Sequence, residues 1–251
     1  MTILYDATFE GYLTAVFDGF YSRCKEVEIF TEEQFGMSLL ETSKAETNPE
    51  KSHRVYEAIC SKLSQYTAEI VYKAWLSHEG DIDTAIYRFL KFAFARGGDV
   101  TEMIQNPKVK RVTAAANVVG TQAHKFLGLL RFSKAGEIYV ADFEPDYDIL
   151  PLIAQHFTDR FRILPFVIRD LRHMRMLIHE GGEHPRTALV KMEEAAALEN
   201  DSDSFEQLWK GYYKSMTIKE RINPDYKLRQ HFMPQKFWNH ICELEDADRA
   251  H

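Results

Sequence analysis

The stretch from Pro107 to Arg131 constrains this chain more than any other. Val109, Val112, Ala116, Val119, Ala123, Phe126, Leu127 and Leu130 recur at helical spacing with no internal proline. A helix of that length with one unbroken apolar stripe has to lie against a hydrophobic core. Ala114 to Ala116 and Gly120 are small enough to let a neighbouring element approach closely. The expectation is a globular fold organised around one long central helix.

The flanking patterns differ on its two sides. Before it, Thr2 to Tyr5 reads as a short strand, with Asp6 or Thr8 placed to cap a helix. That helix carries Phe9, Tyr12, Leu13, Val16, Phe17 and Phe20 on one face. Val27 to Phe30 is a second short strand, and residues 41–50 form a polar connection ending at Pro49. Ser52 to Ala95 is mostly helical, with a break near His78–Asp81 and a stop at Gly97-Gly98. After the long helix the character of the sequence changes. Arg131 to Ser133 and Glu137 to Phe143 read as a hairpin, and Pro145 ends it. A short helix over Asp148 to Arg160 precedes strands at Pro165 to Asp170 and Met174 to His179. Thr187 to Val190 is a candidate edge strand.

Residues 193–206 are acidic, and a helical block follows. Phe205, Leu208, Trp209, Tyr212, Tyr213 and Met216 keep an i, i+3, i+4 stripe, and Pro224 and Pro234 punctuate two shorter helices. The whole reads as an α+β fold, mainly helical, with a central antiparallel sheet of about four to six strands and a helical C-terminal cap. We expect a single domain over 1–251, with residues 204–245 as a helical C-terminal subdomain within it.

Composition removes several function classes. The 251 residues carry a formal net charge of −7, with 12 Gly, 8 Pro and 3 Cys, which excludes collagenous, disordered and disulfide-scaffold chains. Cys24, Cys60 and Cys242 lie far apart with no CxxC pair, fitting reduced thiols in the cytoplasm. No signal-peptide pattern opens the chain and no apolar run is long enough to span a membrane. Phosphate-loop, dinucleotide, nucleophile-elbow and zinc-deaminase motifs are all missing. No cofactor is expected.

The charge is unevenly spread. Residues 1–50 hold ten acids against three bases, whereas Pro107 to Arg131 carries five bases and no acid. Phe205 to His240 carries seven Lys/Arg against three acids. Local basic faces of this kind suit a phosphate backbone even on an acidic protein, and equally suit a solvated helix surface. Lys210 and Lys214 fall opposite the aromatic stripe, so the aromatics read as core and the lysines as surface.

Candidate chemistry is sparse. His179-Glu180-Gly181-Gly182-Glu183-His184 is not HExxH, and a charged hairpin turn explains it, so no metal site is assigned. His156 sits on what the periodicity makes the apolar face of its helix, one turn from Arg160. It reads either as a core histidine or as a general acid/base with Asp170 as its carboxylate. Asp170, Arg172 and His173 share a turn between two strands, and Arg131 stands at a strand edge.

The C-terminal block also carries a resemblance. Trp209-Lys210-x-Tyr212-Tyr213, Ile218-Lys219-x-Arg221-x-Asn223-Pro224 and Gln230-x-Phe232-Met233-Pro234-x-Lys236-x-Trp238 resemble the ending of a bacterial family labelled DNA metabolism or DNA repair. Tyr5-Asp6-x-x-Phe9-Glu10-Gly11-x-Leu13 and the run from Phe126 through Arg131-Phe132 to Arg160-Phe161 are similar to it too. The resemblance implies a radical S-adenosylmethionine protein as partner. Some family members carry a fused uracil-DNA glycosylase-like domain, which is not expected here, and no glycosylase activity is transferred.

The resulting expectation is a cytoplasmic DNA-repair or DNA-modification accessory that binds DNA. Its contacts would be Arg131, Arg160, Arg172, Lys210, Lys214, Lys219, Arg221, Asn223 and Lys236. The alternatives are an enzyme acting on nucleic acid through His156 and Asp170, and a protein-interaction adaptor that never touches DNA.

Overall fold

A computed structural model of the chain describes residues 1–24, 26–35, 42–183 and 186–192. The chain divides into two compact units, Met1–Thr121 and Gln122–His251.

In the first unit, β1 (Thr2–Tyr5) leads into α1 (Phe9–Tyr21), and β2 (Glu28–Thr31) returns beside β1. Then come β3 (Thr42–Lys44), α2 (Pro49–Lys62), α3 (Gln65–Trp75) and α4 (Ile82–Arg96). The sheet order is β2-β1-β3, and both neighbours run parallel to β1. Parallel neighbours need a crossover rather than a hairpin, and α1 supplies one between β1 and β2. The long helix α5 (Pro107–Leu129) starts in this unit and ends in the second.

Side-chain caps fix these helices. Thr8 accepts the Gly11 N–H at the start of α1, and Asn48 accepts those of Glu50 and Lys51 at the start of α2. Asp6 ties the starts of α1 and α2 together, accepting from Thr8 Oγ1 at 2.6 Å and from Thr47 Oγ1 at 2.7 Å. Burial alone would push the Asp6 carboxyl up, but the Thr47 and Thr8 hydrogen bonds outweigh it and hold it below its ordinary value. Gly11 makes room for this arrangement, because a Cβ there would stand 2.1 Å from Asp6 Oδ1 and 2.8 Å from Thr47 Oγ1. Gly11→Ala is therefore expected to evict the Asp6 side chain and cost about 1–3 kcal/mol in a urea melt. Asp6→Ala combined with it should add little, since both changes break the same clasp.

The core of this unit contains a polar network. Tyr5 and Tyr12 are fully buried, and the Tyr5 hydroxyl donates to Asp83 Oδ2 at 2.8 Å. Trp75 Nε1–H donates to the Tyr5 oxygen at 3.0 Å, and the Tyr12 hydroxyl donates to the Asp83 carbonyl at 2.9 Å. One network thus joins β1, α1, α3 and α4.

The second unit holds the end of α5, then β4 (Ser133–Ala135), β5 (Ile138–Phe143), α6 (Leu150–Arg160), β6 (Phe166–Asp170), β7 (Arg175–His179) and β8 (Thr187–Lys191). Its five strands lie in chain order, β4-β5-β6-β7-β8. Ile138, Val140, Val167, Met176 and Ile178 form an apolar cluster, with Ala135, Val190 and Met192 packed against it. Elsewhere in the unit, Phe132 meets the rings of Phe157, Phe161 and Phe166 at 4.7–5.9 Å.

The α+β expectation holds, and the strand count of the larger sheet falls in the expected range. Three local readings change. β5 and β6 pair in parallel, because α6 stands between them in the chain as a crossover, so this sheet is mixed rather than antiparallel. The helical run from Ser52 breaks also at Leu63–Ser64, where Ser64 leaves the helix to cap α3 through the Thr67 N–H. The connection over 41–50 contains β3, whose exposed Thr42, Ser43 and Lys44 carry no apolar alternation to betray it. The expected helical subdomain at 204–245 lies outside the described residues.

Candidate functional site

Polar side chains gather where β5 and β6 end and β7 begins. The register sets Asp142 opposite Arg169 and Phe143 opposite Asp170, and the next pair sets Asp170 opposite Arg175. Alternation along β6 then sends Arg169 and Asp170 to opposite faces. Arg169 Nε lies 2.5 Å from Asp142 Oδ1, and its Nη2 pairs with Asp142 Oδ2 to complete a fork.

Asp170 is fully buried. Its Oδ1 accepts the backbone N–H of Arg172 at 3.1 Å and of His173 at 3.0 Å, closing the turn that joins β6 to β7. Its Oδ2 lies 2.8 Å from His173 Nδ1. Met174 completes the turn at φ +53°, the left-handed position that lets a four-residue loop rejoin the ladder.

The segment after Pro145 lines the same end. Asp146 Oδ1 accepts from Arg172 Nη1 at 3.1 Å, and its Oδ2 accepts from Gln122 Nε2 at 2.8 Å. Gln122 Oε1 in turn accepts the Tyr147 N–H at 3.0 Å. Buried Asp148 pairs with Arg175. Each of the three arginines of this end thus meets an aspartate, and the charges of those pairs balance.

The residues singled out in the sequence distribute unevenly over this geometry. Asp170 and Arg172 stand in the cluster, and the Arg172 side chain is 56% exposed. His156 does not lie on a buried face. It is exposed on α6, whose buried residues are Leu150, Ile153 and Phe157, and it meets Phe157 edge-on. The imidazole hydrogen-bonded to Asp170 is His173. Arg131 donates to the carbonyls of Gly128 and Leu130, capping the end of α5, and Arg160 lies over the Phe161 ring. Lys210, Lys214, Lys219, Arg221, Asn223 and Lys236 lie outside the described residues.

His179, from the His-Glu-Gly-Gly-Glu-His run, is a core residue. It stacks on Phe166 and uses both ring nitrogens, Nδ1 with Thr187 Oγ1 at 2.7 Å and Nε2 with the Arg162 carbonyl at 3.1 Å. Among the described residues no group of three or more His, Cys, Asp or Glu is placed to hold a metal ion. No helix among them is long and apolar enough to cross a membrane.

Asp142, Asp146, Asp148, Arg169 and Arg175 went unremarked in the sequence. Their one signal was spacing: aspartates clustered at and just past the end of one strand, and arginines at every third position across a hairpin. Only pairing of the two segments makes them partners.

Fold and site together define an α+β protein with a buried aspartate–histidine pair and an aspartate–arginine rim at a sheet end. Residues 80–243 match the family described as a domain of unknown function, DUF4130, and the chain belongs to that family. No curated protein matches it.

Proposed function

We propose that this protein is a cytoplasmic nucleic-acid-binding accessory in DNA repair or DNA modification, working with a radical S-adenosylmethionine partner protein. The observation that carries the reading is the block Phe205 to His240, with seven Lys/Arg against three acids. Its cations fall within the motif that resembles the DNA-repair family, and helical spacing alone would set Lys210 and Lys214 opposite the aromatic stripe. Arg172, with an exposed guanidinium, is the described residue best suited to join them. Arg131 and Arg160 contribute less, since one serves helix carbonyls and the other an aromatic ring. Three cysteines without a CxxC pair support a reducing compartment.

Binding of the full chain to fluorescent single- and double-stranded DNA, read by anisotropy across a salt series, tests this. Neutralising several phosphates should make affinity fall steeply with salt, by about 0.7–0.9 log units per log unit of salt for each phosphate contacted. The triple change Lys210→Ala, Lys214→Ala, Arg221→Ala should lower that slope by about two to three. Absence of binding at low salt would leave the adaptor reading, and the search would turn to a protein partner.

A further inference from the structure

His173 precedes β7 and His179 ends it, and their hydrogen bonds separate them. His179 has both ring nitrogens committed inside the core. His173 commits one. A carboxylate only accepts, so the Asp170 contact places the His173 proton on Nδ1. Nε2 is then left as an acceptor. It has no hydrogen-bond partner among the described residues and is not one of their buried unpaired atoms, so it opens to solvent.

The turn does not need this imidazole. Asp170 Oδ1 already closes it through two backbone N–H groups, and any residue but proline at position 173 supplies the second. A histidine here adds something else: a ring whose tautomer and direction are set by a fully buried carboxylate. That is how a proton-transfer imidazole is prepared. Arg172 stands next to it, tied to Asp146 by an ion pair at 3.1 Å with the arginine 56% exposed. Such a surface pair is worth only about 0–1 kcal/mol and yields readily to a bound anion. The other two arginines stay held by Asp142 and Asp148.

We propose that the β6–β7 tip is an acid–base site for phosphodiesters, in which His173 transfers the proton, Asp170 positions its ring and Arg172 holds the phosphate. The choice of substrate rests on the nucleic-acid reading above, whereas the Asp170–His173 pair does not. The oxygen of a water bonds to phosphorus while Nε2 takes one of its protons. The phosphorus–oxygen ester bond breaks, and the imidazolium returns the proton to the departing oxygen. Water is the only co-reactant, and nothing is oxidised or reduced. His173 takes the role that sequence spacing offered to His156.

The experiment uses the full chain with end-labelled single-stranded DNA, double-stranded DNA and single-stranded RNA, followed for both binding and cleavage. At least one arm should be cleaved, and which arm identifies the source of the phosphodiester. His173→Gln should lower turnover roughly 100-fold or more while leaving binding unchanged. Asp170→Asn should lower kcat with little change in KM, and Arg172→Ala should raise KM. Nitrogen NMR of the wild-type ring should show the proton on Nδ1, a reading independent of whether any variant folds. Cleavage that persists in His173→Gln, or a proton found on Nε2, overturns the proposal. Binding without cleavage in every arm overturns it while sparing the accessory reading, whereas loss of both binding and cleavage sinks the two together.

Discussion

Gly181→Ala is expected to destabilise the second unit by roughly 3–5 kcal/mol and lower its melting temperature by roughly 10 °C or more. Two costs add at this position. Gly181 has φ +67°, a left-handed backbone in which a side chain is strained. A Cβ would also stand 2.6 Å from the Ile163 carbonyl oxygen and 2.8 Å from the carbonyl carbons of Ile163 and Leu164. Those are backbone atoms, so no rotamer change relieves the overlap. The contact is moreover one the fold uses, since the Gly182 N–H donates to that same Ile163 oxygen at 3.1 Å. Gly182 is the control. Its φ is +91°, but a Cβ there meets nothing within 4 Å, so Gly182→Ala should cost only about 1 kcal/mol of conformational strain. Equal losses at the two positions, measured by thermal or urea unfolding, would show that close approach is not what Gly181 provides.

The second large effect concerns Asp83. Its side chain is buried in the first unit, and burial pushes its carboxyl from 3.8 up to about 6, only partly offset by the Tyr5 hydroxyl and the nearby His78. The unfolded chain releases this proton near pH 3.8 and the folded chain near pH 6. Between those values the folded state holds more protons than the unfolded one, so raising the pH weakens the fold. The contribution is fully present below about pH 3.8 and is lost above about pH 6. A shift of that size corresponds to roughly 3 kcal/mol. Asp83→Asn keeps an oxygen to accept from Tyr5 and removes the buried charge. The stability difference between the Asp83→Asn variant and the wild-type protein should therefore move by roughly 3 kcal/mol in favour of the variant as pH rises from about 4 to about 8. Taking a difference cancels the other titrating groups, and denaturant melts at several pH values measure it. A difference that stays flat would mean that the network solvates the carboxylate as well as water does.

Neither position stood out in the sequence. Gly181-Gly182 reads there as a generic chain reversal, and its two members look interchangeable. What separates them is the Ile163–Leu164 backbone, which precedes β6 and reaches Gly181 only once β6 and β7 pair. Asp83 stands in the first turn of α4, and nothing local in the sequence marks the Tyr5 and Trp75 side chains that form its network.

His156 teaches the same lesson from the other side. Helical periodicity groups it with Ile149, Leu152, Ile153 and Phe157, and α6 does form there. The buried face is narrower, though, and His156 stays exposed beside the edge of Phe157. Period alone locates a helix and roughly its inner side. How much of that side is covered depends on the neighbour, which the period does not contain.

The signals legible along the linear chain were local ones. The cap at Thr8, the prolines at the starts of α2 and α5, the long apolar stripe of α5 and the short apolar runs around Phe143 and Leu177 placed most elements where they form. Each of these signals is a preference of a few consecutive residues for one backbone conformation, so no distant partner is needed to read it. Folding in three dimensions settled the rest: the parallel pairing of β5 with β6, the aspartate–arginine rim, the buried Tyr5–Asp83–Trp75 network and the hydrogen bond of His173 to Asp170. All of these join residues 3 to 78 positions apart through hydrogen bonds or ion pairs whose worth depends on geometry and burial. A hydroxyl or carboxylate looks the same in sequence whether water or a buried partner will satisfy it, and only the folded chain decides which.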